Sequence, residues 1–522
     1  MFKRIIKDTS VLSFGTFISL FLGFIRDVLV ANFFGTSVIL EAFIVAFRLP
    51  NLFRSIVGEG FSDSVAIPVL SEYQKDKEKL FEIGNHLISL SLVVLFVFTV
   101  LGMLFSKYLV MFIAPGFIEQ PYKFSLAVSF TRITFLYLFF IGLSVNSTSL
   151  LYSLKRFFVP AITPSFLNIS FIVGIPFFAK VIKDYILVIC VVVAGILQVI
   201  FPFMSLKREN FRFKLDFRNL FKNSEIIRMI KLFPPRIWSS IVYQLSVVLD
   251  TVFSSFTHIV GEGALAALWF AHRYVHFPLA LITLPISRVA IVDLSYFHKE
   301  SRLADFKKLF VFSFQNIIFF VVPIAIFYMF LPHGIIDVVL RRGDFSAYSL
   351  KITSSVLFFY SFGLLSFCSI KLLVSSFYAL KDTLTPAKVT ALSLVVNALL
   401  SALLMFPLKI GGVALGSSLA AIFNSLLLYR ILIKKIGKVD WDDTRSQFIK
   451  VVILSIIIGA LGRCLWDMLS YHKYVNMLII AGVSFMAFVG GGFILRLKQI
   501  HYAKRWIVQK SKKMRSWKSK RR

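Results

Sequence analysis

The sequence predicts an all-α polytopic membrane protein with about fourteen transmembrane helices, arranged as two six-helix lobes followed by two further helices. Three observations lead to this fold class: the composition, the length of the apolar segments and an internal repeat. Hydrophobic residues make up 58% of the 522 residues, and the mean hydropathy is +0.82. Ordinary soluble domains are only about 45–50% apolar.

The apolar segments have the length that a bilayer requires. A hydrocarbon core about 30 Å thick is crossed by about 20 helical residues. Fourteen windows of the sequence reach this length. They are residues 9–32, 37–57, 83–111, 124–154, 160–181, 185–206, 233–256, 263–290, 310–331, 352–380, 386–406, 412–433, 451–469 and 475–495.

The internal repeat lies at the end of the fourth and tenth segments. Residues 152–160 (YSLKRFFVP) resemble residues 378–386 (YALKDTLTP), and the apolar helix that follows each carries one asparagine, Asn168 or Asn397. Both copies meet the membrane from the same side. A parallel repeat of this kind implies two lobes related by an axis along the membrane normal, with the ligand site at their interface.

This repeat divides the chain into five regions. They are an N-terminal lobe (1–206), a basic cytoplasmic linker (207–232), a C-terminal lobe (233–433), two extra helices outside the repeat (434–497) and a basic tail (498–522). Lysine and arginine cluster in alternate loops, so the positive-inside rule assigns both termini to the cytoplasm. The same rule explains the net charge of +32, and we expect no nucleic-acid partner.

Charged residues inside the apolar segments indicate a binding site. A charge near the bilayer centre costs about 2.5 kcal/mol or more, so such residues face a polar cavity or a partner. Arginine suits phosphate because its planar guanidinium donates hydrogen bonds in pairs. Since the cations outnumber the carboxylates, we predict an anion-binding site. Its candidate residues are Arg26, Asp27, Glu41, Arg48, Arg54, Glu59 and Arg273.

Two other groups of residues suggest bound ions. His272 and His276 have an acceptable spacing for metal ligands, although cavity-lining imidazoles are the simpler interpretation. No basic residue lies near Asp250 in its segment, so this carboxylate is either protonated or holds a cation. Oxygen atoms at a matching depth complete a candidate sodium site. These candidate ligands are Asp250, Asn397, Ser401, Val413 and Ser417, and proton coupling through Asp250 is the alternative.

Several motifs together resemble the MurJ/MviN lipid II flippase family of the multidrug/oligosaccharidyl-lipid/polysaccharide transporter superfamily. They are GFIRD at 23–27, EAFIVAFRLPNLFR at 41–54, GEGFS at 58–62, RFFVPA at 156–161, AHR at 271–273 and FYALKDTLTP at 377–386. The resemblance covers nearly all of the first twelve segments. It implies fourteen helices and a central cationic cavity that moves lipid-linked peptidoglycan precursor outward.

The resemblance also implies roles for particular residues. The cavity arginines of the family correspond to Arg26, Arg54 and Arg273, and its acidic partner corresponds to Glu41. Many members have a further arginine where this chain has Leu20. Some members have a sodium site whose second carboxylate is replaced here by Ser401. The two extra helices imply a groove for the polyprenyl tail.

We therefore predict a lipid II flippase of the bacterial inner membrane that works by alternating access and makes or breaks no bond. The alternatives are a drug/cation antiporter or another polyprenyl-linked oligosaccharide flippase of the same superfamily, and a membrane glycosyltransferase acting on lipid II. The expected partners are lipid II and membrane lipids. Cell-wall synthesis or division proteins are candidate partners, and we expect the chain to act as a monomer.

Overall fold

The computed structural model describes residues 2–55, 61–62, 65–215, 223–232 and 234–502, and the described part is a bundle of long helices. Fourteen of these helices coincide one for one with the predicted segments. They are α1 (Phe2–Phe34), α2 (Val38–Ser55), α3 (Lys77–Leu104), α4 (Pro121–Ser153), α5 (Ser165–Ile182), α6 (Ile186–Arg208), α7 (Pro234–Ser255), α8 (Ala264–Lys299), α9 (Leu303–Phe330), α10 (Ala347–Ala379), α11 (Leu384–Leu408), α12 (Ile410–Ile436), α13 (Asp442–Met468) and α14 (Lys473–Ile494). The predicted fold class is confirmed.

Short helices lie between the long ones. They are Ile67–Glu72, Ser106–Ile113, Pro115–Glu119, Phe158–Ile162, Lys183–Tyr185, Ser224–Leu232, Thr257–Val260 and Pro332–Leu340. Helix α8 is not uniform, because Leu279–Thr283 forms a π-helical turn within it. Such turns insert an extra residue into a helix and are frequent at functional sites.

Two of the long helices carry several of the candidate site residues. Helix α2 carries Glu41, Arg48 and Arg54, and α7 carries Asp250. Among the described residues, 12 helices could cross a membrane by their length and composition alone, and α2 and α7 are not among them.

The internal repeat is visible in the backbone. Lys155 and Lys381 follow α4 and α10, and both adopt left-handed φ angles, of 58° and 60°. The Lys155 amide donates to the Tyr152 carbonyl at 2.9 Å, and the Lys381 amide donates to the Tyr378 carbonyl at 2.9 Å. The next amide in each copy also bonds back into its own helix. Both helices therefore end in the same hydrogen-bonded turn.

An ion pair follows each copy of the turn, and the positions of its cation and anion are reversed between the two copies. In the first copy Arg156 donates to Glu209, 53 residues further on, with 2.6 Å between Nε and Oε1. In the second copy Lys435 donates to Asp382, also 53 residues away, so cation and anion have exchanged places. Burial raises the pKa of Asp382, but hydrogen bonds from Lys435 and Thr385 outweigh it and lower the pKa to about 2.

The chain divides into two compact units by its contacts. The first contains Met1–Ala266 and Arg342–Ser349, and the second contains Ala267–Arg341 and Leu350–Arg522. The lobe boundaries that the repeat indicates remain a prediction.

The reversed ion pair gives a test of the repeat. Asp382→Asn should lower the free energy of unfolding by about 1 kcal/mol, because it removes a partly exposed pair. The exchange Asp382→Lys with Lys435→Asp should recover only part of that loss, because it restores the attraction with the polarity of the first copy but removes the acceptor for the Thr385 hydrogen bonds. Thermal unfolding in detergent measures both.

The pH dependence of the same variants adds a second criterion. Because the folded pKa of Asp382 is about 2, its stabilisation is present above about pH 4. It should be lost only as the pH falls through about 2. A difference between wild type and Asp382→Asn that changes between pH 5 and 7 would contradict this assignment.

Candidate functional site

Arg26 of α1 is buried and paired with its neighbour in sequence. Its guanidinium donates to Asp27 Oδ1 from Nε at 3.0 Å and from Nη2 at 2.7 Å. Its Cζ atom lies 5.9 Å from the centre of the Phe171 ring. These two hydrogen bonds to one oxygen fix the orientation of the guanidinium group. Arg26 is thus paired with Asp27, the carboxylate next to it in sequence.

Glu41 of α2 forms a buried ion pair with a residue that the sequence analysis did not select. Glu41 is 1% exposed and Lys123 is 2% exposed, and the lysine ammonium donates to Glu41 Oε2. The other oxygen, Oε1, accepts from the Leu265 amide at 2.9 Å. Lys123 also lies 4.2 Å above the Phe117 ring. Glu41 thus links α4 and the start of α8 to α2.

Lys123 was missed because the predicted segment began at residue 124. A lysine just before an apolar run is usually an interfacial residue whose long side chain reaches water. Here α4 begins at Pro121, one turn earlier in the chain. The sequence did contain a signal for such a partner. Glu41 is an acidic residue in an apolar segment, and a buried carboxylate requires a cationic partner or a proton.

Arg48 and Arg54 lie on either side of Pro50 in α2 and contact neutral groups. Arg48 Nε donates to Thr251 Oγ1 at 3.1 Å, and Arg54 Nε donates to Asn51 Oδ1 at 2.9 Å. These two hydrogen bonds orient the guanidinium groups. Glu59, another candidate residue of this site, lies outside the described residues.

Arg26 and Arg54 come together around Tyr137 of α4. The Tyr137 side chain lies within electrostatic reach of both guanidinium groups, and its ring is 5.8 Å from that of Phe47. Tyr137 is 1% exposed. Arg26 and Arg54 of the first unit therefore both lie within electrostatic reach of one buried phenol.

The environment of Asp250 differs from what its segment alone suggested. Asp250 precedes Thr251, the residue that accepts a hydrogen bond from Arg48. A basic residue of α2 therefore lies beside the part of α7 that carries Asp250. Asp250 itself also takes part in a polar or electrostatic interaction within the fold. The premise that no basic residue is near this carboxylate holds along the sequence but not in the fold.

The other four candidate sodium ligands lie together in the second unit. Ser401 and Ser417 both donate to Asn397 Oδ1, at 3.0 and 3.2 Å. The Val413 carbonyl is 3.5 Å from Ser401 Oγ. These neutral oxygens are the type of ligand that hard cations bind. Asp250 belongs to the first unit, so within the second unit the group contains no carboxylate from the predicted set.

Arg273 lies in α8 of the second unit, among aromatic side chains. Its Cζ atom is 5.1 Å from the centre of the Trp269 ring. His272 and His276 are packed edge to face with 4.4 Å between ring centres. In the described part of the chain no group of three or more His, Cys, Asp or Glu side chains could hold a metal ion.

A second cation missed by the sequence analysis is Lys371 of α10. The side chains of Arg273 and Lys371 both act electrostatically on His276. The signal was the same as for Arg26, a lone charge inside an apolar run, here in residues 369–373 (SIKLL). Each unit thus holds its own group of cations inside membrane-spanning helices.

A bundle of long apolar helices with paired charges and clustered cations defines a multi-span membrane protein of the transporter type. The chain belongs to the lipid II flippase MurJ family, whose model matches residues 30–484. A protein named probable lipid II flippase MurJ, from Buchnera aphidicola subsp. Acyrthosiphon pisum (strain APS), is 32% identical over 457 residues. Those residues cover 86% of this chain and 88% of that protein. The family resemblance of the motifs is confirmed.

Solved structures agree with this membership. A structure of the lipid II flippase MurJ in an inward closed conformation matches with a TM-score of 0.78 at 25% identity, covering 94% of this chain and 99% of that one. An inward-facing multidrug resistance MATE family transporter of the MOP superfamily matches with a TM-score of 0.65 at 13% identity, over 80% of this chain and 95% of that one. The second match shows the fold alone.

The buried pair of Glu41 and Lys123 should dominate the stability of the first unit. Glu41→Gln should lower the free energy of unfolding by about 3–5 kcal/mol, because it leaves the Lys123 ammonium buried without its counter-ion. Adding Lys123→Met should restore most of the loss, since the second charge is then also absent. Thermal unfolding of the purified variants measures both effects. A double variant no more stable than Glu41→Gln would contradict the pairing.

Proposed function

We propose that this protein moves lipid II from the cytoplasmic face to the outer face of the bacterial inner membrane. The observation that carries the proposal is the match to the flippase family along most of the chain, residues 30–484, together with the cations that its helices hold. Translocation makes and breaks no covalent bond, so the site needs to bind and release a head group and not to activate one.

The arginines of the first unit suit the diphosphate of the lipid. Arg54 is oriented through Nε by Asn51, which directs the other guanidinium nitrogens for paired donation to phosphate oxygens. Arg26 is held against Asp27, and this pair can exchange one carboxylate contact for a phosphate contact. The polyprenyl tail remains in the lipid, and the head group is exposed first to one side and then to the other.

The competing functions fit these residues less well. A site for cationic drugs would need excess negative charge and aromatic side chains, whereas Arg48, Arg54, Arg273 and Lys371 are cations. A flippase for another polyprenyl-linked oligosaccharide would share the diphosphate chemistry. A glycosyltransferase acting on lipid II needs catalytic carboxylates in a sizeable outer loop, and the outer loops here are short.

Orientation and partners follow from the same proposal. Both termini lie in the cytoplasm, because the alternate loops that share their side carry the basic residues. Lipid II and bilayer lipids are the partners, and cell-wall synthesis or division proteins are candidate protein partners. The chain acts as a monomer, with α13 and α14 providing a groove for the lipid tail.

Complementation tests the function directly. The protein should restore growth to a conditional flippase-depleted bacterial strain and should restore the amount of lipid II that is accessible at the outer face. The second measurement separates transport from indirect rescue. A chain that inserts into the membrane but restores neither would refute the proposal.

The cationic residues should be required individually. Arg26→Ala, Arg54→Ala and Arg273→Ala should each abolish complementation without loss of protein from the membrane. A charge-assisted hydrogen bond is worth about 1.5–3 kcal/mol, so each loss should weaken lipid II binding at least about tenfold. Lysine at these positions should rescue only in part, because a point charge cannot make the paired contact. Arg445→Ala, an exposed arginine in α13, is the matched control.

We further propose that transport is coupled to a cation. Asn397, Ser401, Ser417 and the Val413 carbonyl supply neutral oxygens that fit sodium in kind, although neutral ligands alone make a weak site. Proton coupling through Asp250 is the alternative. Transport with and without sodium at several pH values, by wild type, Asn397→Ala and Asp250→Asn, separates the two. Dependence on sodium that disappears in Asn397→Ala supports sodium, dependence on pH that disappears in Asp250→Asn supports the proton, and unchanged behaviour of both variants contradicts both forms of coupling.

A further inference from the structure

A cavity of about 620 Å³ lies at one end of the first unit. It is lined by the turn between α1 and α2, by the end of α5 with the turn that follows it, and by residues 344–349 before and at the start of α10. In the proposed orientation all three connections face the outer side of the membrane. Ligand pockets have volumes of about 300–1,000 Å³, so this cavity has room for a small ligand.

The segment Arg342–Ser349 forms one wall of the cavity and is tied to the α1–α2 turn. It belongs to the first unit by its contacts, although the residues before and after it belong to the second. The Asp344 amide donates to the Asn32 carbonyl at 2.9 Å. The hydroxyl oxygens of Thr36 and Ser349 are 2.8 Å apart. Two hydrogen bonds therefore hold this wall against the rest of the cavity.

Two glycines allow the close approach of the wall. Gly35 and Gly343 have left-handed φ angles of 51° and 50°, which glycine adopts without strain. A side chain at Gly35 would collide with the Asp344 carbonyl, and a side chain at Gly343 would collide with the Asn32 carbonyl. The shape of the cavity is thus fixed by backbone contacts, which lowers the entropy cost of binding a ligand.

Charged side chains of both signs line the cavity, and the carboxylates are in excess. Lys180 is the cation, and Asp184 and Asp344 are the anions. Lys180 and Asp344 are exposed, and among the described residues neither forms an ion pair. Asp184 Oδ2 accepts a hydrogen bond from the Tyr122 hydroxyl at 3.3 Å. The excess of negative charge suits a diphosphate poorly, in contrast to the arginines of α1 and α2.

We propose that this cavity binds the saccharide of the lipid-linked precursor once the head group has reached the outer face. Sugar hydroxyls donate to carboxylates and accept from ammonium and hydroxyl groups, and the cavity supplies all three. Its hydroxyl groups include those of Ser37 and Ser346. Phe33 also lines the cavity and provides aromatic surface for the apolar face of a sugar ring. This inference rests on the proposed function and adds a saccharide site to it.

The test measures the affinity of the purified full-length chain for three soluble probes. They are the disaccharide of the precursor, the peptide of the precursor alone, and inorganic phosphate. The site variants are Asp344→Asn and Asp184→Asn, which each remove one charge, and Ala179→Trp, which fills the cavity. Glu262→Gln is the matched control, because Glu262 is an exposed carboxylate of the first unit that does not line the cavity.

The wild-type chain should bind the disaccharide more tightly than it binds the peptide or phosphate. Asp344→Asn and Asp184→Asn should each weaken disaccharide binding by about tenfold or more, the value of one charge-assisted hydrogen bond. Neither should weaken phosphate binding, since each removes a negative charge. Ala179→Trp should abolish disaccharide binding, and Glu262→Gln should bind like wild type. Thermal unfolding of each variant checks that the fold is intact.

Three results would overturn the inference while leaving the proposed function in place. They are a wild-type chain that complements but does not bind the disaccharide, disaccharide affinity that is unchanged in all three site variants, and a loss of peptide affinity as large as the loss for the disaccharide. The last result would assign the cavity to the peptide. A chain that fails to complement would instead refute the proposed function, and with it the assignment of this cavity to a translocated head group.

Discussion

The buried ion pair between Glu41 and Lys123 is the interaction on which the first unit depends. An isolated charge inside the bilayer is expensive, and a pair is tolerated only when its remaining hydrogen-bonding capacity is also used. Glu41 meets that condition by accepting from the Lys123 ammonium and from the Leu265 amide. One carboxylate thereby joins three helices, and it fixes α2, which carries the arginines of the site.

The arginines then fall into two kinds according to their partners. Arg26 has a carboxylate against it, so its charge is largely neutralised until a competing anion arrives. Arg48 and Arg54 donate to a hydroxyl and to an amide oxygen instead. Under the proposed function, Asp27 and a diphosphate would compete for the Arg26 guanidinium, which would allow the site both to bind and to release the ligand.

The two copies of the repeat share backbone geometry and differ in charge. Lys155 and Lys381 end their helices in the same left-handed turn, and an ion pair closes each turn at the same separation along the chain. Reversing the polarity keeps the attraction within each copy. Exchanged partners would carry like charges: Arg156 would face Lys435, and Asp382 would face Glu209. Like charges repel, which favours correct pairing during folding.

Much of this protein could be predicted from its sequence, because the relevant physics is local. Apolar length fixes where helices cross a bilayer, and all fourteen predicted segments are helices. The repeated turn follows from short motifs around Lys155 and Lys381. A charge inside an apolar run identifies a site residue by its desolvation cost alone, which is how Arg26 and Arg273 were found.

Only the tertiary structure decided which side chains meet. Whether Glu41 pairs with Arg26 or Lys123, and whether a base approaches Asp250, depends on which helices are neighbours and on the rotation of each about its axis. For the same reason, the sequence did not reveal that Lys371 of α10 lies within electrostatic reach of His276 of α8. A single sequence records the order of residues along each helix. The angular position of one helix against another is fixed only when all of their faces pack at once.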